Sequence, residues 1–517
     1  MDVFRLPTPT VIGLVGILAL AVVYLNPRVF GKRKYNFPPG PPGEFLLGHY
    51  RKIPFTAPFK QYAKWSKEYD SEVLYFETFG TKWIVPNSLQ SAIDLLDKRG
   101  VNYSDRPKFI LFEEMGWAPT LTWLRWGPQM QRHRRVLQPA FSKTQVRQHQ
   151  DSQQKEALIC LHNILDDAEN WTGSIRQFAV AIVLNIAFGI DVDGPCSPWI
   201  KTADDAADAI GHSGAPARSI VDQFPATRHL PTWLPFMERL RYARNRRWAI
   251  EAITNIPFAQ ARKEVEEKIH KKCFAHDRLH VYNHNVVNGV ENEFTMDDIR
   301  GSSAAIYIAG NDTTATTVIL FVLYLMQNPD VQAKAQEEID RVVGNERLPT
   351  WEDISDLPYM NLVLQETFQI YAEPFKFWPE RYLANNEGGN GEPLPVGNFG
   401  FGRRVCIGRA LAENSLLIVL ASMLATMKIE FPLDKNGDRT LFEPEWPYLG
   451  QAPVYPPGLL RWQSFYETQQ LLRKPEVEVS IRYRVGHRVQ LRSAREEAAV
   501  DSGERGVKLP KSGIMMA

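Results

Sequence analysis

One cysteine, Cys406, lies in a stretch that reads Phe399-Gly400-Phe401-Gly402-Arg403-Arg404-Val405-Cys406-Ile407-Gly408. Its glycines let backbone pass close to a sulfur and aim N–H groups at it. The apolar, periodic run 410–427 predicts a helix directly afterwards, and the dipole at its N-terminus favours an anion. Together with the cations Arg403 and Arg404, these features favour thiolate over thiol. An isolated cysteine is most often an inert core thiol, but this one has around it what a charged sulfur ligand needs. A second stretch, Ala309-Gly310-Asn311-Asp312-Thr313-Thr314, places an acid and an alcohol inside the apolar run 304–326. Glycine costs about 1 kcal/mol in a helix interior, and a threonine hydroxyl can bond the carbonyl one turn back, so the helix is expected to open a groove there.

The pattern Phe-x-x-Gly-x-Arg-x-Cys-x-Gly, filled by Phe399, Gly402, Arg404, Cys406 and Gly408, resembles the haem-binding signature of the cytochrome P450 monooxygenases. The resemblance implies haem b with Cys406 as the axial ligand of the iron, a thiolate that pushes electron density toward O–O cleavage. It also implies that Arg403 and Arg404 stand near haem propionates. The Ala-Gly-x-Asp-Thr-Thr stretch resembles the same family's oxygen-activation motif, which assigns proton supply to Asp312 and a hydrogen bond to bound dioxygen to Thr313. The basic run Arg132-His133-Arg134-Arg135 falls where the family carries Trp-x-x-x-Arg. Arg134 fits as a propionate donor, whereas Met130 occupies the tryptophan's place, with Trp126 one helical turn earlier.

Two departures from the family lie downstream. At Glu366 the pattern Glu-x-x-Arg is broken, because Gln369 stands where arginine belongs. Glu366 and the later Arg381 are therefore expected to lack their middle partner, and burying such charges unpaired costs several kcal/mol. Gly310 and Cys406 are also only 96 residues apart, closer than the family keeps them. The block that is short would fall between Phe368 and Tyr371 and would carry the arginine, two strands, a substrate-contacting loop and another propionate ligand. After Trp446 the sequence no longer follows the family.

These motifs must be positioned by the rest of the chain. Basic and acidic residues, 60 and 59, nearly cancel, so no global field points to nucleic acid. Four widely spaced cysteines argue against a disulfide framework or a zinc site. Helical periodicity dominates, as in 145–164, 175–186, 297–326 and 410–427, and strand-like stretches such as 73–79 are few. The expected fold is mainly α with small β-sheets (α+β), the cytochrome P450 fold. Residues 6–27 carry no charge and are followed by Arg28 and Lys32-Arg33-Lys34. They predict a single transmembrane anchor that leaves the remainder cytosolic, in preference to a cleaved signal peptide. The proline-rich 37–43 reads as a stiff hinge.

The chain thus divides into an anchor with its basic flank (1–34), a haem-thiolate monooxygenase domain (35–446) and an atypical tail (447–517) in which 477–491 alternates as a hairpin would. The implied function is insertion of one atom of dioxygen into an apolar small molecule. An NADPH-cytochrome reductase would supply electrons, docking near Arg132–Arg135, and the enzyme would sit on endoplasmic reticulum lipid. The alternative is an impaired or inactive haem-binding scaffold, or a mis-spliced gene product, lacking the segment after Phe368.

Overall fold

In a computed structural model of the chain, the described residues are 36–431, except 46, 55–57, 118–119, 169, 214–218 and 369–375, together with residue 16 and the strand Ser480–Tyr483. The architecture is mainly helical. Helix α1 (Pro58–Glu68) precedes the hairpin β1 (Val73–Thr78) and β2 (Thr81–Pro86), whose antiparallel register pairs Val73 with Pro86 and Thr78 with Thr81. Ten longer helices carry the rest: α2 (Pro128–Ala140), α3 (Gln150–Asp166), α4 (Trp171–Phe188), α5 (Pro198–Gly211), α6 (Arg247–Glu266), α7 (Phe274–Val287), α8 (Met296–Gln327), α9 (Pro329–Val342), α10 (Pro358–Thr367) and α11 (Arg409–Thr426). A second two-stranded sheet pairs β3 (Met427–Glu430) with β4 (Ser480–Tyr483), so the tail returns one strand to the body. The rest of the expected hairpin at 477–491 lies outside the described residues.

Helix α8 is the central element. It packs against α2, α4, α6, α10 and α11, and its N-terminus is closed by a capping box between Thr295 and Asp298. Contrary to the expected groove, the backbone runs as unbroken α-helix through Ala309–Thr314. The glycine serves packing instead. A Cβ on Gly310 would lie 2.2 Å from Cγ1 of Val183 in α4, so the two helices close to a distance that only glycine permits.

By length and composition α4, α8 and α11 are apolar enough to cross a membrane, yet at least 67% of each apolar window is buried inside the fold. They are core helices. The expected anchor lies, residue 16 apart, outside the described residues. The proline-rich segment is fastened rather than free. Tyr75 donates its N–H to the Pro39 carbonyl at 3.0 Å, Phe37 stacks on the Tyr75 ring at 4.3 Å, and Lys52 donates to the Pro42 carbonyl. A hinge at this point would have to break those contacts.

The close approach of α4 and α8 predicts the effect of Gly310→Ala. Better helix propensity returns about 1 kcal/mol, while overpacking against a β-branched side chain costs about 1–3 kcal/mol. The expected result in denaturant unfolding is a net loss of up to about 2 kcal/mol, largely recovered in the double variant Gly310→Ala/Val183→Ala.

Candidate active site around Cys406

The cysteine loop is built by its own backbone. The Cys406 N–H donates to the Phe399 carbonyl at 2.8 Å, and Val405 and Arg404 donate to Gly402 and Phe401. The chain can make this tight return because Gly400 and Gly402 adopt φ of 79° and 54°, in the left-handed region. At Gly402 space is also exclusive: a Cβ would fall 2.1 Å from the Leu96 carbonyl oxygen. Its N–H donates to the Asp97 carboxylate, which ties the loop to the segment before Gly100. Gly408 needs no special backbone angle. Its contribution is the N–H it donates to the Cys406 sulfur.

Cys406 is exposed by surface area, yet enough protein surrounds it that burial raises the thiol above its ordinary range. The Gly408 N–H and the charges of Arg134 and Arg409 pull the other way. Both observations fit a sulfur at the floor of an open recess with donors and cations arranged for its anionic form. That donor set suits a soft thiolate ligand to haem iron. Arg134, on α2, donates Nη1–H to the Val405 carbonyl at 3.1 Å, one residue before the cysteine. Phe399 is buried, with the Arg409 guanidinium 5.4 Å over its ring and Phe368 meeting it edge-on at 5.8 Å.

On α8, Ala309 surfaces from an otherwise buried helix, and the Thr313 hydroxyl one turn on donates back to the Ala309 carbonyl at 2.8 Å. Asp312 lies on another side of the helix. Its Oδ1 is 3.3 Å from Nη2 of Arg176 on α4, and Arg176 also pairs closely with Asp204 on α5. Helix α8 packs against α2 and α11, the two helices that bracket the cysteine loop.

The sequence model of the cytochrome P450 family matches this chain in two parts, residues 38–371 and 368–446. The chain belongs to the cytochrome P450 family. Among curated relatives it is 31% identical to cytochrome P450 monooxygenase COX2 of Coprinopsis cinerea, over 82% of this chain and 87% of that protein. It is 29% identical to cytochrome P450 monooxygenase 136 of Postia placenta (81% and 86%) and 28% identical to tryptamine 4-monooxygenase of Psilocybe cyanescens (81% and 91%). It is thus a monooxygenase of the P450 type with a haem cofactor on a cysteine thiolate, and its relatives are fungal. The alignment with the Coprinopsis protein runs over 472 positions, whereas 82% of 517 residues is about 424. About 48 positions therefore hold residues that this P450 lacks.

Several sequence-level expectations change in three dimensions. Arg404 is committed to backbone: Nε donates to the Ser104 carbonyl at 2.8 Å, Nη2 to Leu124 at 2.8 Å and Nη1 to Leu121 at 3.4 Å. It roots both ends of the loop between Ser104 and Leu124. Burial pushes its pKa down to about 10, with the nearby charge of Arg106 adding to the effect. Arg403 lies 5.1 Å over the ring of Trp126, so that tryptophan is a platform for a cation. Met130, in the family tryptophan's place, is fully buried.

The basic run on α2 is not an open patch. Arg132 pairs with Asp298 at 3.0 Å, Arg135 with Glu293 at 3.0 Å, and His133 is completely buried. Acidic partners within the chain already compensate the cations expected to receive a reductase.

The broken charge network also closes differently. Arg381 Nε is 3.1 Å from Glu366 Oε2, with both side chains almost fully buried. Glu366 accepts the Trp378 N–H at 2.9 Å, and Arg381 donates to the Lys376 carbonyl and faces Glu392 at 3.5 Å. Acid and base neutralise each other directly, so the expected uncompensated burial does not arise. Gln369 itself lies outside the described residues.

Arg176, Asp204, Asp298 and Arg409 escaped the sequence reading. Only Arg409 had a local signal, its adjacency to the cysteine motif; Arg176 is 136 positions from Asp312.

Removing the Arg404 clamp should expose its importance. Arg404→Met leaves three carbonyls without their donor, and at about 1–3 kcal/mol for each group that water cannot reach, a loss of about 2–4 kcal/mol is expected in chemical denaturation. Arg404→Lys, a point charge without the fork, should recover less than half of that loss.

Proposed function

We propose that Cys406 ligates the haem iron and that this chain inserts one atom of dioxygen into an apolar organic substrate, using electrons from an NADPH reductase. The observation that carries the reading is the sulfur itself: exposed at a recess, with a Gly408 N–H on it and the charges of Arg134 and Arg409 beside it. Haem, when bound there, supplies the activation of dioxygen. The chain's own contribution is to aim the Gly408 N–H and the charges of Arg134 and Arg409 at the sulfur, and to close the loop behind it through the Phe399 carbonyl. Thr313, whose hydroxyl proton rests on the Ala309 carbonyl, keeps its oxygen lone pairs available to accept a proton and pass one on. Asp312, held by Arg176, is the acid from which that proton is replenished. Membrane attachment through 6–27 and residence on the endoplasmic reticulum follow from the uncharged run and the basic residues behind it.

Full-length protein reduced under carbon monoxide should show the red-shifted Soret band of a thiolate ligand. Cys406→Ala should abolish it, and an unchanged band in that variant rules the assignment out. Thr313→Ala should retain haem while diverting most reducing equivalents to hydrogen peroxide, measured as peroxide formed per NADPH consumed. Normal coupling would remove Thr313 from the proton path.

A second reading, a haem-binding chain impaired in turnover, is favoured by one observation. The family match breaks at 368–371, where sequence spacing puts the missing block, and about 48 aligned positions have no counterpart here. Because Glu366 and Arg381 neutralise each other, the expected deficit is in haem retention rather than in folding. Inserting the relatives' segment after Phe368 should raise haem bound per chain at least severalfold with little change in unfolding midpoint. Stoichiometric haem and reductase-driven turnover in the unaltered chain would exclude impairment.

A further inference from the structure

Two consecutive residues of α2 converge on one buried carboxylate of α8. Arg132 Nε lies 3.0 Å from Asp298 Oδ2, and His133 Nε2 lies 3.2 Å from Asp298 Oδ1. The other ring nitrogen of His133 is 3.3 Å from the Ser302 hydroxyl, one turn further along α8, and Asp298, His133 and Ser302 are all completely buried. Asp298 also accepts the Thr295 N–H at 3.1 Å as part of the helix cap. A cap explains the last bond but not the first two. Capping needs only Thr295 and Asp298, and it gives no reason for a neighbouring helix to bury a histidine against the same carboxylate. Burial pulls the Asp298 carboxyl upward, but the hydrogen bonds from Arg132 and Thr295 outweigh it and keep the group ionised. For His133 burial dominates and keeps the ring neutral.

The next residue along α2 is Arg134. Successive helical residues are about 100° apart with a rise of about 1.5 Å, so fixing 132 and 133 on one anion fixes both the rotation and the height of α2. That leaves 134 facing the Val405 carbonyl at 3.1 Å and the sulfur beyond it. We propose that Asp298, with His133, is a positioning residue that sets Arg134 against the cysteine loop, and that α8 thereby holds that loop from a site that touches neither the sulfur nor the recess. The proposal rests on the reading of Cys406 as the haem ligand only for its functional meaning; the mechanical link is a property of the polypeptide alone.

Hydrogen exchange of the full-length protein, read by mass spectrometry on peptides covering 399–408, tests the link without reference to haem. The amides of Arg404, Val405 and Cys406, which donate to Phe401, Gly402 and Phe399, report loop opening. Asp298→Asn keeps the side-chain shape and removes the charge, and it should speed exchange in this loop about tenfold. Arg134→Gln should do the same, and the double variant should be no faster than Arg134→Gln alone, because both act through one bond. His133→Leu should act like Asp298→Asn, while His133→Gln, whose amide can still donate to Asp298, should restore protection. This pair carries the test should Asp298→Asn not fold.

Unchanged loop exchange in Asp298→Asn and His133→Leu overturns the proposal. So does acceleration that adds to that of Arg134→Gln, since a general loss of stability would add and would extend to peptides far from the loop. Absence of any thiolate band in the wild type would instead defeat the haem-ligand reading and leave the exchange comparison intact.

Discussion

A sulfur that must remain anionic at the floor of an open recess sets terms that the surrounding fold has to meet. Burial alone raises the Cys406 thiol above its ordinary range, so the anion depends on what is aimed at it: the Gly408 N–H and the charges of Arg134 and Arg409. Two of these three come from the sequence immediately after the cysteine and are nearly free of tertiary requirements. The third comes from α2, some 270 positions away in the chain, and depends on how α2 is held. Much of the helical body therefore bears on one side chain's distance from one carbonyl.

Holding α2 falls to α8, and α8 is itself held by close packing. Its seat on α4 requires the missing Cβ of Gly310 against Val183. In the same turn Asp312 reaches Arg176 of α4, and Thr313 turns its hydroxyl onto its own helix. Glycine, acid and alcohol look like one polar patch in sequence, but on a continuous helix the first two serve the contact with α4 and the third bonds its own backbone. A change at any of the three positions therefore has its own physical cause: a steric clash, a lost ion pair or a lost hydroxyl.

What was legible in the sequence is what is local. The cysteine loop could be read because its backbone-to-backbone hydrogen bonds close within ten residues and its glycines mark where the backbone turns through positive φ. The four periodic runs became α3, α4, α8 and α11 within a few residues of their expected ends, because burial of an apolar face at helical spacing decides them. What could not be read is which cation meets which partner. Arg403, Arg404, Arg132 and Arg135 all looked available. In the fold they are taken up by the Trp126 ring, by three carbonyls, by Asp298 and by Glu293, choices fixed by chain segments 158 to 300 positions away. The proline-rich segment misled for the same reason: its stiffness is local, but its docking on Tyr75 is tertiary.

The junction after Phe368 shows how a fold can absorb a departure from its family. Breaking a buried charge network by removing one member is costly when it leaves a charge uncompensated. Here the two remaining members stand 3.1 Å apart; Glu366 also accepts the Trp378 N–H, and Arg381 also reaches the Lys376 carbonyl and the Glu392 carboxylate. Both flanks are anchored as well: Phe368 meets Phe399 of the cysteine loop, and Phe377 stacks on Tyr324 of α8 at 4.8 Å. A neutral pair fastened on each side by an aromatic contact keeps the cysteine loop tied to α10 and α8.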